Sequence, residues 1–99
     1  MPSAIYPSLK DKRVVVTGGG SGIGAALVEA FAAQGCETVF VDIRDDESAA
    51  LAARLTAAGG RVRFERLDLA DLAALARFFA GAGPVDVLVN NAANDDRHA

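Results

Sequence analysis

The residues with the most pointed chemistry stand in "VTGGGSGIG", Val16 to Gly24, where glycines crowd the passage from an apolar run into a helical pattern. At the start of a helix, unpaired backbone N–H groups and the positive end of the helix dipole face outward, an arrangement that holds phosphate. Glycine is needed there because a Cβ would block close approach or forbid a turn with positive φ. Two nucleotide chemistries compete for such a loop. A triphosphate-binding loop places Lys and then Ser or Thr after its last glycine, whereas Gly24 is followed by Ala25 and Ala26, so the charge clamp for ATP or GTP hydrolysis is missing. A dinucleotide site needs a carboxylate about 20 residues on, at the end of the next strand, to take the adenosine ribose hydroxyls. Asp42 stands at that distance. Glycines alone would also serve a plain tight turn. The strand before, the helix after and the acid at the right spacing favour the cofactor.

Other reactive side chains point to little chemistry. Cys36 is the single cysteine and His98 the single histidine, so neither an internal disulfide nor a structural zinc set can be assembled, and no metal site is expected. Cys36, at the start of a strand, reads as a small buried apolar group. His98 beside Asp95, Asp96 and Arg97 reads as a solvated charged tail rather than an acid–base or metal cluster.

The elements that must position the loop and Asp42 alternate regularly. "RVVVT" (Arg13 to Thr17) is a short β-branched run, the pattern of a buried strand. Ile23, Leu27 and Phe31 then recur four apart with Ala26 and Ala30 on the same side, predicting a helix with that face inward and Gly35 as its C-terminal stop. "ETVFVD" (Glu37 to Asp42) is a second strand. "DDESAALAARLTAAGG" is a helix with an acidic start, Leu51 and Leu55 on one face, and Gly59-Gly60 at its end. "RVRFERLD" alternates Val62 and Phe64 with Arg61, Arg63 and Glu65, as an edge strand with one wet side does. "DLAALARFFAGAG" is a third helix with Leu72, Leu75 and Phe79 inward, stopped before Pro84, and "VDVLVN" is a fourth strand. The order β-α-β-α-β-α-β with right-handed crossovers predicts an α/β, Rossmann-type doubly wound parallel sheet with strand order 3-2-1-4.

Ninety-nine residues, 52% of them hydrophobic with mean hydropathy +0.24, suit one globular unit. A net charge of −3 and a pI near 4.9 supply no basic field for nucleic acid or an anionic membrane surface. No apolar stretch approaches the ~20 residues that span a bilayer, and "MPSAIYPSLK" lacks the apolar core of a signal peptide, so the expected location is the cytoplasm.

Three motifs resemble those of the short-chain dehydrogenase/reductase family. Thr17-Gly18-Gly19-Gly20-Ser21-Gly22-Ile23-Gly24 matches its T-G-x-x-x-G-x-G signature. Asp68-Leu69 sits where the family has its adenine-contacting Asp and neighbour, and Asn90-Asn91-Ala92-Ala93 looks like its N-N-A-G motif, with Ala93 in place of the glycine. The resemblance covers the chain from Lys10 onward, and "NNAANDDRH" is similar to the corresponding stretch of the family's sugar dehydrogenases. It implies an NAD-dependent oxidoreductase, a homo-oligomer, moving hydride between nicotinamide and a secondary alcohol or ketone, a sugar among the candidates. By the same resemblance Gly18, Ser21, Gly22, Ile23 and Gly24 would line the pyrophosphate and Asp42 would hold the ribose. Asp68 would accept from the adenine amino group, Leu69 would add a backbone contact, and Asn90 and Ala92 would shape the floor beside the nicotinamide-side ribose. Plainer readings stand beside two of these: Asp68 as a cap preceding the third helix, and Asn90 as a strand terminator. Arg44 would suit the 2′-phosphate of NADP, but the Asp42 charge would repel it, so NAD is preferred. The family's proton-transfer pair, Tyr-x-x-x-Lys, and its substrate-orienting Ser would follow later, so no catalytic residue is assigned. On this reading residues 1–11 are an extension and 12–99 a dinucleotide-binding portion truncated before the catalytic segment. Tyr6 and Lys10 have the pair's spacing, but Pro7 disfavours a helix there and the pair precedes the first strand, so it is read as coincidence. The rival is a stand-alone nucleotide-binding or interaction module without catalysis.

Overall fold

A computed structural model describes residues 9–20 and 22–91. Four strands, β1 (Arg13–Thr17), β2 (Glu37–Asp42), β3 (Arg61–Arg66) and β4 (Val87–Asn90), alternate with three helices, α1 (Gly22–Ala33), α2 (Asp45–Ala57) and α3 (Leu72–Ala82). All pairings are parallel and the sheet order is β3-β2-β1-β4, as the alternation predicts. Thr17 pairs with Val41 on one side and with Asn90 on the other. The C-terminal ends of β1, β2 and β4 therefore lie together, at the edge of the sheet where the glycine loop leaves β1.

One core holds α1 and α2 on the sheet. Val14 and Val16 of β1, Phe40 of β2, Val28 of α1 and Leu51 and Leu55 of α2 form a buried cluster with Cys36. The rings of Phe40 and Phe64 extend it, their centroids 5.3 Å apart. Both first helices stop as their glycines predict. Gly35, at φ +84°, lets Cys36 N–H reach the Phe31 carbonyl and its own N–H reach that of Ala32, the paired bonds of a Schellman cap. Gly60 N–H and Gly59 N–H close α2 in the same way on Leu55 and Thr56.

Three expectations need correction. The inward face of α1 is Gly24, Val28 and Phe31, not the Ile23, Leu27, Phe31 row; Ile23 is 73% exposed, and Ala26 and Ala30 are exposed too. Gly24 has to press on the turn after β1, which fixes the rotation of the helix and turns Ile23 about 100° away. In α3 no residue is buried and Leu72 is 73% exposed, although Leu75 and Phe79 are half-buried. A right-handed crossover from β3 to β4 carries α3 to the face opposite α1 and α2, where no second described helix packs beside it. The fourth strand begins at Val87 rather than Val85, because Asp86 is drawn to the start of β1. Its carboxylate accepts from Arg13 N–H at 2.9 Å and its own N–H donates to the Arg13 carbonyl at 2.9 Å. Among the described residues no helix is long and apolar enough to cross a membrane.

Candidate functional site at the first β-α turn

The glycine loop is held from three directions. Gly18, at φ +73°, donates its N–H to the Val41 carbonyl of β2 at 2.8 Å, so the chain turns sharply as it leaves β1. Gly19 lies against Phe40 and Val28, where a Cβ would stand 2.7 Å from the Phe40 Cβ. A Cβ on Gly24 would run into the Gly18 carbonyl. The first turn of α1 thus sits against the loop as closely as backbone allows. On the outer side the loop is open: a Cβ at Gly22 would meet nothing, and Ile23 stands exposed on the rim. The first turn of α1 carries no acidic residue, so nothing there opposes an anion at its N-terminus.

Asp42 closes the inner side. It ends β2, is 8% exposed, and both carboxylate oxygens are engaged: Oδ2 accepts from Gly20 N–H at 2.9 Å and Oδ1 from Arg44 N–H at 2.8 Å. The acid and the glycine loop are therefore a single hydrogen-bonded unit. Ser48, from the first turns of α2, abuts the same point. Its Oγ and Asp42 Oδ2 flank the spot that a Gly20 Cβ would fill, and Ser48 is fully buried with no partner for its hydroxyl. Leaving a buried hydroxyl unpaired costs about 1–3 kcal/mol.

Asn90 and Asn91 bring β4 into the site. Thr17 Oγ1 donates to Asn90 Oδ1 at 2.7 Å, and Asn91 Nδ2 donates to the Gly18 carbonyl at 3.1 Å. Asn90 thus ties neighbouring strands as well as ending its own. Asp68 follows β3 at the same edge of the sheet and is exposed. Its Oδ1 accepts from Ala70 N–H at 2.9 Å, a local turn ahead of α3, while the cap of that helix is Asp71, which accepts from Ala74 N–H at 3.0 Å. Leu69 beside it is half-buried. Gly18, Gly22, Ile23, Gly24, Asp42 and Asn90 are gathered around one turn, with Asp68 and Leu69 farther along the same edge. Ser21 and Ala92, and with them Tyr6 and His98, lie outside the described residues.

Sequence reasoning missed Gly19, Gly20, Ser48 and the Asn91 tie. Gly19 and Gly20 occupy positions that the T-G-x-x-x-G-x-G signature leaves open. Ser48 could have been found, since it precedes Leu51 by three residues and shares its face. Cys36 is buried, its Sγ 3.2 Å from the Leu9 carbonyl; burial pushes its thiol upward from the ordinary range, with Arg61 partly opposing. Among the described residues no group of three His, Cys, Asp or Glu side chains is placed to hold a metal ion.

Comparison with known proteins agrees with this architecture. A family model described as short chain dehydrogenase matches residues 12–99. The chain is 59% identical over 98 residues to a D-xylose 1-dehydrogenase of Caulobacter vibrioides, a match that takes in 99% of this chain and 40% of that protein. It is 51% identical over 104 residues to the "Probable galactose dehydrogenase GalD" of Rhizobium meliloti, covering 100% of this chain and 41% of the relative. Among solved structures, a 3-oxoacyl (acyl-carrier-protein) reductase from Agrobacterium tumefaciens with NADP bound superposes with a TM-score of 0.73 at 32% identity, over 84% of this chain and 33% of that one. The chain thus spans about two fifths of the length of the curated relatives it matches. A parallel 3-2-1-4 sheet, a glycine turn locked to the acid at the end of the second strand, and a family match running from residue 12 to residue 99 make this chain a member of the short-chain dehydrogenase family.

Proposed function

We propose that this protein is the cofactor-binding part of an NAD-dependent oxidoreductase that transfers hydride between the nicotinamide and a secondary alcohol or its ketone, with sugars as the substrate class. The observation that carries the reading is Asp42, a carboxylate 8% exposed and bonded to the glycine loop through Gly20 N–H. A carboxylate offers about four lone-pair sites, so the two backbone bonds leave Asp42 acceptor capacity for the adenosine ribose hydroxyls. Its charge disfavours a 2′-phosphate in the same place, which supports NAD over NADP. The NADP in the Agrobacterium reductase is a property of that protein. The sugar assignment rests on likeness to the D-xylose and galactose dehydrogenases.

The residues fit such a cofactor at its adenosine and pyrophosphate side. Gly18, Gly22, Ile23 and Gly24, with Ser21 between them in sequence, line the pyrophosphate at the open side of the loop. Asp68 and Leu69 take the adenine edge, and Asn90 and Ala92 the nicotinamide-side ribose. The bound nicotinamide supplies the hydride chemistry; these residues bind and orient it. The cytoplasm and a homo-oligomeric assembly belong to the same reading.

Calorimetric titration of NAD and NADP tests the proposal. NAD binds more tightly to the wild type, and Asp42→Ala weakens NAD by about tenfold or more while narrowing the gap to NADP. Tighter binding of NADP by the wild type would overturn the assignment.

A further inference from the structure

Ser48 is the one described residue with a buried side-chain oxygen that has no hydrogen-bond partner. It is not placed at random in the core. Its hydroxyl faces the point where Gly20 and Asp42 meet, and the space between the two oxygens is kept open by the absence of a side chain on Gly20. Asp42 meanwhile spends Oδ2 on Gly20 N–H and Oδ1 on Arg44 N–H. A carboxylate that also receives ribose hydroxyls must share its lone pairs among more donors, and its orientation is then set by whichever donors remain. A serine hydroxyl rotates to suit its acceptor, and here it has no competing bond to break.

Resting on the assignment of Asp42 to the adenosine ribose, we propose that Ser48 is a positioning residue for the cofactor. In the bound state its hydroxyl donates to Asp42 Oδ2 and fixes the carboxylate in the orientation that accepts from the ribose. The unbound protein carries the cost of a buried, unpaired hydroxyl; binding relieves it. Affinity for the ribose hydroxyls thus draws on a side chain from α2 that is itself sealed from solvent.

The test compares NAD with its analogue lacking the adenosine 2′-hydroxyl, titrated into the full-length protein as wild type, Ser48→Ala and Asp42→Ala, with thermal melting of each unliganded protein. Loss of a hydrogen bond to a charged group makes NAD bind about tenfold more weakly to Ser48→Ala. The 2′-deoxy analogue, with one ribose hydroxyl fewer for Asp42 to accept from, is weakened less by Ser48→Ala than NAD is, and unliganded Ser48→Ala melts no lower than wild type because the orphan hydroxyl is gone. Equal weakening of both ligands, or no weakening of either, overturns the role of Ser48. If Asp42→Ala also leaves NAD binding intact, the ribose assignment fails as well; if Asp42→Ala weakens NAD while Ser48→Ala does not, only the present inference falls. Ser48→Cys keeps an unbranched side chain of the same length in bonds, with a larger atom and a weaker donor, and gives an intermediate ratio between the two ligands, so it serves as the test should the alanine variant not fold.

Discussion

At the scale of single residues, the fold gives polar groups near the site two kinds of employment. Asp42 is held by backbone donors on both oxygens, whereas Cys36 is simply enclosed, its sulfur near the Leu9 carbonyl. Enclosure raises the thiol's proton affinity in the folded state above that in the unfolded chain. The sign then follows: the folded protein keeps the proton longer, so this contribution to stability is complete below the thiol's ordinary range and is lost as pH rises through the folded value. The urea midpoint of the wild type is expected to fall between about pH 8 and about pH 10 by more than that of Cys36→Ala, since cysteine ordinarily titrates near 8.5. Equal falls would show that Cys36 carries no such linkage. That Asp42 and the glycines stand at one turn was legible, because type and spacing fix where a strand ends and a helix begins. That Asp42 answers to Gly20 N–H was not, since a backbone donor leaves no mark in the sequence.

At the scale of elements, legibility tracks how unevenly polarity is distributed. β3 alternates Arg61, Arg63 and Glu65 with Val62 and Phe64, so its wet side and its place at the edge were readable. α1 is apolar almost all round, with Glu29 its only charge, and two rows of the helix share Phe31. Its rotation was settled instead by Gly24 against the Gly18 carbonyl, a contact between backbones. The two outer strands also differ in how they meet a neighbour. The arginines of β3 guard one edge, whereas β4 presents Val87, Leu88 and Val89 without a charge, and Leu88 is 55% exposed. Residues 1–99 on their own are therefore expected to associate through β4. Light scattering should show an average mass that rises with concentration, and Leu88→Lys should return it toward the monomer. A wild type that stays monomeric at high concentration would refute this.

At the scale of the whole molecule, the glycine turn, Asp42, Asn90 and Asp68 lie along one edge of the sheet, and no tyrosine stands among the described residues. Residues 1–99 assayed alone are expected to give no detectable change in NADH absorbance with sugars or secondary alcohols. A missing acid–base group costs roughly 10²–10⁴-fold, and unoriented reactants forgo up to ~7–11 kcal/mol of barrier reduction. Turnover that Tyr6→Phe abolishes would overturn that expectation. The tie from Asn91 to Gly18 bears on how the molecule comes together in time. It joins residues 73 apart, whereas the Arg13–Glu37 contact between β1 and β2 joins residues 24 apart. Closing the longer loop costs about 1 kcal/mol more in chain entropy, so β1 meets β2 before it meets β4. The tie between the glycine turn and β4 is then expected to form last and open first, and amide hydrogen exchange should run faster at Gly18 to Gly20 than in β2. During synthesis, a nascent chain is therefore expected to have its β1-β2-β3 sheet in place while the Gly18 carbonyl still waits for the Asn91 side chain that ties the turn to β4.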